Sequence, residues 1–277
     1  MKTAVEHTSV WKNANRNYSS DLLAVEEPMQ IRLDYGPEAS RRSADLAVTM
    51  RTPGHDFELA VGFLFTEGII RASSDVLSVR YCEHIESDEE KENVVRVSIH
   101  PDVQFDISQL RRNFFTSSSC GVCGKQSIDQ VMYSCREVSE KTRFMTSAIL
   151  QAPSRLRGSQ HVFEYTGGLH ACGLFNAEGD LVLVREDIGR HNALDKLIGA
   201  ALELGRIPLS DYFLMVSGRA SFELVQKALM AGIPLMAAVG APSSLAVQLA
   251  ASGKMTLLGF LRDDNFNLYT GKNRIVE

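Results

Sequence analysis

The residues with the most distinctive chemistry are two cysteines three apart, in Thr116-Ser117-Ser118-Ser119-Cys120-Gly121-Val122-Cys123-Gly124. Such a pair can supply half of a four-ligand zinc site, act as a redox couple, or present one thiolate as a sulfur-handling nucleophile. Zinc needs a second half, and Cys82, Cys135 and Cys172 are scattered singly with no second C-x-x-C. A thioredoxin-like pair opens a helix after a strand, whereas a Ser-rich run precedes this one. The flanking glycines and serines leave a sulfur accessible and let the loop swing. That suits a thiolate that attacks a persulfide and hands the outer sulfur to an acceptor. The bland alternative is two small residues in a flexible loop. The three lone cysteines sit in apolar or strand contexts and read as packed small side chains.

A second group of candidates lies at strand-to-helix turns. Arg185-Glu186-Asp187-Ile188-Gly189-Arg190-His191 follows the run 181–184, Ser217-Gly218-Arg219 follows 213–216, and Gly240-Ala241-Pro242-Ser243-Ser244 follows 235–239. Ligands of open α/β sheets bind beyond the carboxyl ends of strands, where helix N-termini offer free N–H groups and a favourable dipole. Arg190 and Arg219 can add charge-assisted bonds to a phosphate near Ser217, and Asp187 can accept from a base or ribose. Neither G-x-G-x-x-G nor a P-loop is present, so the nucleotide reading rests on the three turns together. Taken singly, each arginine fits a surface salt bridge equally well. His191 and Asp195 stand four apart on one helical face, as a structural or a catalytic pair. His170, in Gly167-Gly168-Leu169-His170, sits where a turn runs into a strand and by itself reads as a satisfied structural residue.

These residues need elements to position them. A chain of 277 residues, 44% hydrophobic and 23% charged, has ordinary globular composition and can form one large domain or two ordinary ones. Residues 1–20 are polar and aperiodic, and are expected as a flexible tail or a short edge element. Residues 27–33 and 44–50 read as strands. Thr52-Pro53-Gly54 opens a helix with an apolar stripe at Phe57, Ala60, Val61, Leu64 and Phe65, and Gly68 stops it. Residues 76–82 and 94–100 alternate as a hairpin around a solvated acidic loop. Residues 21–115 are therefore expected as a small β-rich α+β domain, and 116–277 as a second domain. The second opens with the cysteine loop and a helix over 126–132. It continues with strands over 171–175, 181–184, 213–216, 235–239 and 256–261. Helices are expected over 192–204, 220–231 and 244–251. This alternation predicts a layered α/β domain with mainly parallel strands.

Composition also excludes classes of function. Lys plus Arg total 29 against 34 Asp plus Glu, a net charge of -5, which argues against a protein that coats nucleic acid. The longest uncharged stretch, between Lys227 and Lys254, is broken by Gly232, Pro234, Gly240 and Pro242, so no membrane span is expected. Five cysteines cannot all pair internally, and the N-terminus has no apolar leader core. A reducing cytoplasm is the expected setting.

Several blocks resemble the formate dehydrogenase accessory sulfurtransferase family, FdhD. They are Cys120-Gly-Val-Cys123-Gly124, Gly62-Phe63-Leu64-Phe65-Thr66-Glu67-Gly68-Ile69-Ile70 and Gly168-Leu169-His170-Ala171. The longest is Glu186-Asp187-Ile188-Gly189-Arg190-His191-Asn192-Ala193-Leu194-Asp195-Lys196, and Ser217-Gly218-Arg219-Ala220-Ser221 and Gly259-Phe260 follow it. The resemblance implies a cytoplasmic homodimer that takes sulfur from a cysteine desulfurase. It implies transfer of that sulfur to the Mo-bis(molybdopterin guanine dinucleotide) cofactor destined for formate dehydrogenase. Cys120 is implied as the persulfide carrier and Cys123 as its helper. The family's cofactor-binding segment falls on Phe260, Leu261, Arg262, Asp263, Asp264 and Asn265. His170, Asp187, Arg190, His191, Ser217 and Arg219 join it as cofactor-binding residues. Members carry a basic stretch in that segment, so Asp263 and Asp264 depart from the pattern, which argues against side-chain contacts there and leaves backbone contacts open. The larger domain is implied to be similar to the cytidine deaminase fold. The deaminase zinc motif is incomplete, since Cys120 follows Ser119 rather than proline, and no metal site is expected. A chaperone that only binds the molybdenum cofactor is the alternative.

Overall fold

The computed structural model describes residues 2–14, 16–82, 91–104 and 137–277. The Cys120–Cys123 loop, Cys135, the helix expected over 126–132 and most of the acidic loop lie outside the described residues. Strands β1 (Val5–Lys12) and β2 (Asn17–Ala24) form an antiparallel hairpin. Residues 1–20, expected as a flexible tail or short edge element, are thus paired strand over most of their length. Serines, threonines and asparagines blur the alternation there, but cross-strand pairs hold it. Trp11 and Tyr18 face each other edge to face, with ring centroids 5.2 Å apart.

Next come β3 (Glu27–Tyr35), β4 (Arg42–Arg51), helix α1 (Asp56–Thr66), β5 (Val76–Tyr81) and β6 (Val94–Ile99). The four strands make one sheet in the order β4-β3-β6-β5. Met29, Ile31 and Leu33 alternate inward on β3, and Val95, Val97 and Ile99 do the same on β6. The expected hairpin of residues 76–82 with 94–100 is present as the antiparallel pair β5–β6.

The rest of the chain runs β7 (Phe144–Met145), α2 (Thr146–Arg157), α3 (His161–Thr166), β8 (His170–Phe175), β9 (Leu181–Asp187) and α4 (Arg190–Glu203). It ends with β10 (Phe213–Val216), α5 (Phe222–Met230), β11 (Leu235–Ala238), α6 (Ser244–Ser252), β12 (Thr256–Gly259), β13 (Asn267–Thr270) and β14 (Ile275–Val276). Six strands form a sheet in the order β13-β12-β11-β10-β8-β9. β10, β11 and β12 are buried at every position, because helices cover both faces. Leu214, Val216, Met236 and Leu257 enter one core with α4, α5 and α6. Phe213, Met215, Leu235 and Leu258 enter the other with α2.

The expectation of mainly parallel strands is corrected. Within the six-stranded sheet only β10–β11 and β11–β12 are parallel, while β8, β9 and β13 join antiparallel. The reason is connection length: β8 and β9 are joined by a tight turn around Gly179, which permits only an antiparallel pair. No element was expected over 144–166, where Pro153 interrupts the helical pattern that α2 nevertheless follows.

Helices α1 and α4 cross at two glycines. A Cβ on Gly62 would lie 1.9 Å from the Asp195 carbonyl oxygen, and one on Gly199 would lie 2.0 Å from that of Glu58. This close approach merges the core of the four-stranded sheet with that of the six-stranded sheet.

Candidate functional site

The carboxyl ends of β10, β11 and β12 run into three turns that hydrogen-bond to one another. Val239 N–H donates to the Val216 carbonyl (3.2 Å), Gly240 N–H to Gly218 (2.9 Å), Ser243 N–H to Ala220 (3.0 Å) and Phe260 N–H to Gly240 (3.2 Å). Antiparallel β8 begins and β9 ends at the same edge, with His170 paired to Asp187 in register. Ala171 N–H donates to Ser217 Oγ at 2.9 Å, so that hydroxyl is an anchor of the turn. Ser221 and Ser243 cap α5 and α6 there, accepting from Leu224 N–H and Ala246 N–H. The fold therefore gathers residues 170, 187–191, 217–221, 240–243 and 260–265 on one sheet edge, with three helix N-termini.

Burial separates the polar residues of this edge into those that build it and those that face out. Asp187, expected to accept from a base or ribose, is fully buried with its acceptor positions filled. Oδ1 accepts from Gly189 N–H (2.8 Å) and Asn192 Nδ2 (3.1 Å); Oδ2 accepts from Thr52 N–H (3.2 Å) and pairs with Lys196 Nζ (2.7 Å). Asp187 therefore positions the turn, and the ligand role expected of it does not fit this burial. The His191–Asp195 pair is not formed. Asp195 takes Lys227 Nζ at 2.8 Å and the Thr66 hydroxyl at 2.8 Å. His191 Nε2 lies 3.2 Å from Ser221 Oγ and 3.3 Å from Glu223 Oε2. Burial, then the positive charge of Arg190 and Lys227, pushes the His191 pKa down to about 3, so the ring is neutral at pH 7. Burial and Arg190 lower His170 as well, against the pull of Asp187. Cys172 is buried, and burial raises its thiol pKa, which suits packing and not nucleophilic work.

The residues left for a ligand are cationic, aromatic or backbone. Arg190 has its Nε buried without a partner among the described residues. Arg219 is exposed, and nothing among the described residues pairs with its guanidinium. In the segment 260–265, Leu261 is fully buried and Arg262 turns back to the carbonyls of Val239 and Leu261, both at 2.8 Å. Asp263 and Asp264 are exposed, and Asp264 accepts from Asn265 Nδ2 at 2.6 Å. The segment thus offers backbone, the Phe260 ring and two acids. Among the described residues no group of three His, Cys, Asp or Glu is placed to hold a metal ion, and no helix is long and apolar enough to cross a membrane.

The FdhD/NarQ family model matches residues 24–276. The chain belongs to the FdhD/NarQ family. It is 51% identical over 260 residues to the sulfur carrier protein FdhD of Streptomyces avermitilis, covering 92% of this chain and 89% of that one. Identity to the sulfur carrier protein FdhD of Mycolicibacterium paratuberculosis is 52% over 258 residues, with 92% of each chain covered. The fold is similar to that of a crystal structure from Desulfotalea psychrophila, described as a formate dehydrogenase accessory protein. The TM-score is 0.73 at 23% identity, with 98% of each chain covered.

In this FdhD/NarQ chain the expected carriers, Cys120 and Cys123, lie outside the described residues. His170, Arg190, His191, Ser217, Arg219 and the 260–265 segment are brought to one edge, as the three-turn argument requires. Sequence reasoning missed Glu223 and Ser221 as the partners of His191, and Glu186 as a cap. The Glu186 carboxylate accepts from Val162 and Phe163 N–H at 3.1 and 2.9 Å, so it fixes α3. A serine followed by an acidic residue at a helix start was the available sign of Ser221 and Glu223.

Proposed function

We propose that this FdhD/NarQ chain is a sulfur carrier that accepts a sulfane sulfur on Cys120. It passes that sulfur to the Mo-bis(molybdopterin guanine dinucleotide) cofactor required by formate dehydrogenase. The observation that carries the reading is the sheet edge. Two arginines whose bonding capacity is unfilled among the described residues, Arg190 and Arg219, stand among three helix N-termini and backbone turns. That set suits the phosphates of a dinucleotide. The names of the relatives and the fold neighbour support the sulfur chemistry and the formate dehydrogenase link.

The Cys120 thiolate attacks the outer sulfur of a persulfide on a cysteine desulfurase. A new S–S bond forms at Cys120, the donor S–S bond breaks, and the donor cysteine leaves as a thiolate, with no net oxidation. Cys123 assists as the neighbouring thiol. The cofactor is the substrate. Its guanine dinucleotide ends dock against Arg190, Arg219, Ser217, His170 and His191 and the backbone of 260–265, while Asp187 and Leu261 hold that edge in shape. The Cys120 persulfide then passes its outer sulfur to the cofactor: the S–S bond breaks, Cys120 leaves as the thiolate, and the two electrons that turn the sulfur into a sulfide ligand would come from the reduced cofactor. The carrier works as a cytoplasmic homodimer. Residues 21–115 form its smaller unit, and the six-stranded layer of 116–277 is of the cytidine-deaminase type.

The experiment is Cys120→Ala in cells that depend on this chain for formate dehydrogenase activity. Activity falls to background while nucleotide binding by the purified variant is retained. Full activity with alanine at position 120 would contradict the carrier reading and leave a chaperone that only holds the cofactor.

A further inference from the structure

Four cationic side chains are buried among the described residues: Arg51, Lys196, Lys227 and Arg274. Three of them hold a carboxylate. Arg51 Nη2 pairs with Asp56 at 2.9 Å, Lys196 Nζ with Asp187 at 2.7 Å and Lys227 Nζ with Asp195 at 2.8 Å. Arg274 has no such partner among the described residues. Its Nε and Nη2 donate to the Ser139 carbonyl at 3.1 and 2.7 Å, and its Nη1 donates to the Lys254 carbonyl (2.6 Å) and to Thr256 Oγ1 (3.3 Å). Every acceptor is neutral, so hydrogen bonding is served but the charge is not. A buried ion is costly unless an opposite charge stands beside it, and the fold meets that need at the other three. A guanidinium has five N–H groups, so one on Nη2 is still able to donate.

Arg274 lines a cavity of about 340 Å³, a volume in the small-molecule range. The cavity reaches Met255, where β12 begins, at the opposite end of that strand from the Arg190–Arg219 edge. Met255 and Ala251 give it apolar walls, and Lys254 and Asn273 line it too. The Lys254 ammonium is already paired with Glu137 at 2.7 Å. Glu140 also lines the cavity, but it is exposed and makes no ion pair with Arg274. The missing negative charge thus has a place to enter from solvent.

We propose that this cavity binds a small oxyanion, a carboxylate or phosphate group borne on a small molecule, which pairs with Arg274 and neutralises its buried charge. The site is separate from the arginine edge, and the inference stands whether or not that edge takes a nucleotide.

The test is calorimetric titration of the full chain with sodium phosphate and, separately, sodium propionate, in chloride at constant ionic strength and neutral pH. At least one probe binds at a saturable site and raises the melting temperature. Phosphate alone assigns a phosphate-bearing ligand, and propionate alone a carboxylate. Asn273→Asp sets a carboxylate in the same cavity and weakens that binding ~10-fold or more through like charge. Glu140→Gln removes the acid already lining the cavity and tightens binding ~3-fold. Binding of neither probe, or binding that Asn273→Asp leaves intact, overturns the inference. So does a Glu140→Gln protein that melts well below the wild type and takes up no anion, since Glu140 would then be the counter-ion.

Discussion

Arg185 grips the Glu58 carboxylate with two nitrogens, Nε at 2.5 Å and Nη2 at 2.7 Å, and so ties β9 to α1. Burial alone would raise the Glu58 pKa, but the bonds from Arg185 and His55 outweigh it and bring it down to about 2, from 4.5 for the free group. A carboxyl lowered in the folded state adds stability above the unfolded pKa and loses it as pH falls through the folded one. The contribution is therefore full above pH 4.5 and fades toward pH 2. Allowing for partial solvent screening, it is about 1–2 kcal/mol. Urea unfolding of wild type and Glu58→Gln should differ by that amount at neutral pH and converge in acid. An undiminished gap in acid would refute this assignment. At this scale the spacing foretold turns that gather at one sheet edge but not which polar side chains face inward. Asp187, Asn192, Asp195 and Lys196 are all buried within one block, and their partners, Thr52, Met50 and Lys227, are distant along the chain. Spacing along one helix pointed to a His191–Asp195 pair, whereas a buried lysine from α5 outcompetes the histidine for that carboxylate.

The α1–α4 crossing is the element-scale feature that positions the site, because α4 begins at Arg190 and carries His191. Its closeness depends on hydrogen atoms where other residues have a Cβ. Gly62→Ala forces the helices apart against the Asp195 carbonyl, an overpacking cost of about 1–3 kcal/mol. It should lower the melting temperature by several degrees and, through the shift of α4, weaken nucleotide binding. Unchanged melting would show that the crossing is looser than this packing implies. Local periodicity foretold α1, the β5–β6 hairpin and the strand–helix alternation after residue 168. Sheet order was not legible, since antiparallel β8 joins β10 by contacts remote in sequence, and the exposed strand β13 beside β12 was not expected. The hairpin of β1 and β2 escaped because its polar strands lack a buried face to impose alternation.

At the scale of the whole molecule, a continuous core fixes a rigid edge with cationic and aromatic groups exposed along it. The chemistry proposed for Cys120 needs such an edge, since a thiol can deliver sulfur efficiently only to a substrate held in place. The central claim is that Cys120 is the atom-carrying residue. Incubation of the chain with a cysteine desulfurase and cysteine, followed by peptide mass mapping without reductant, tests it most directly. The peptide bearing Cys120 should gain the mass of one sulfur atom and lose it on reduction, with no gain in the Cys120→Ala variant. A sulfur found on another cysteine, or loading that persists without Cys120, would contradict the account.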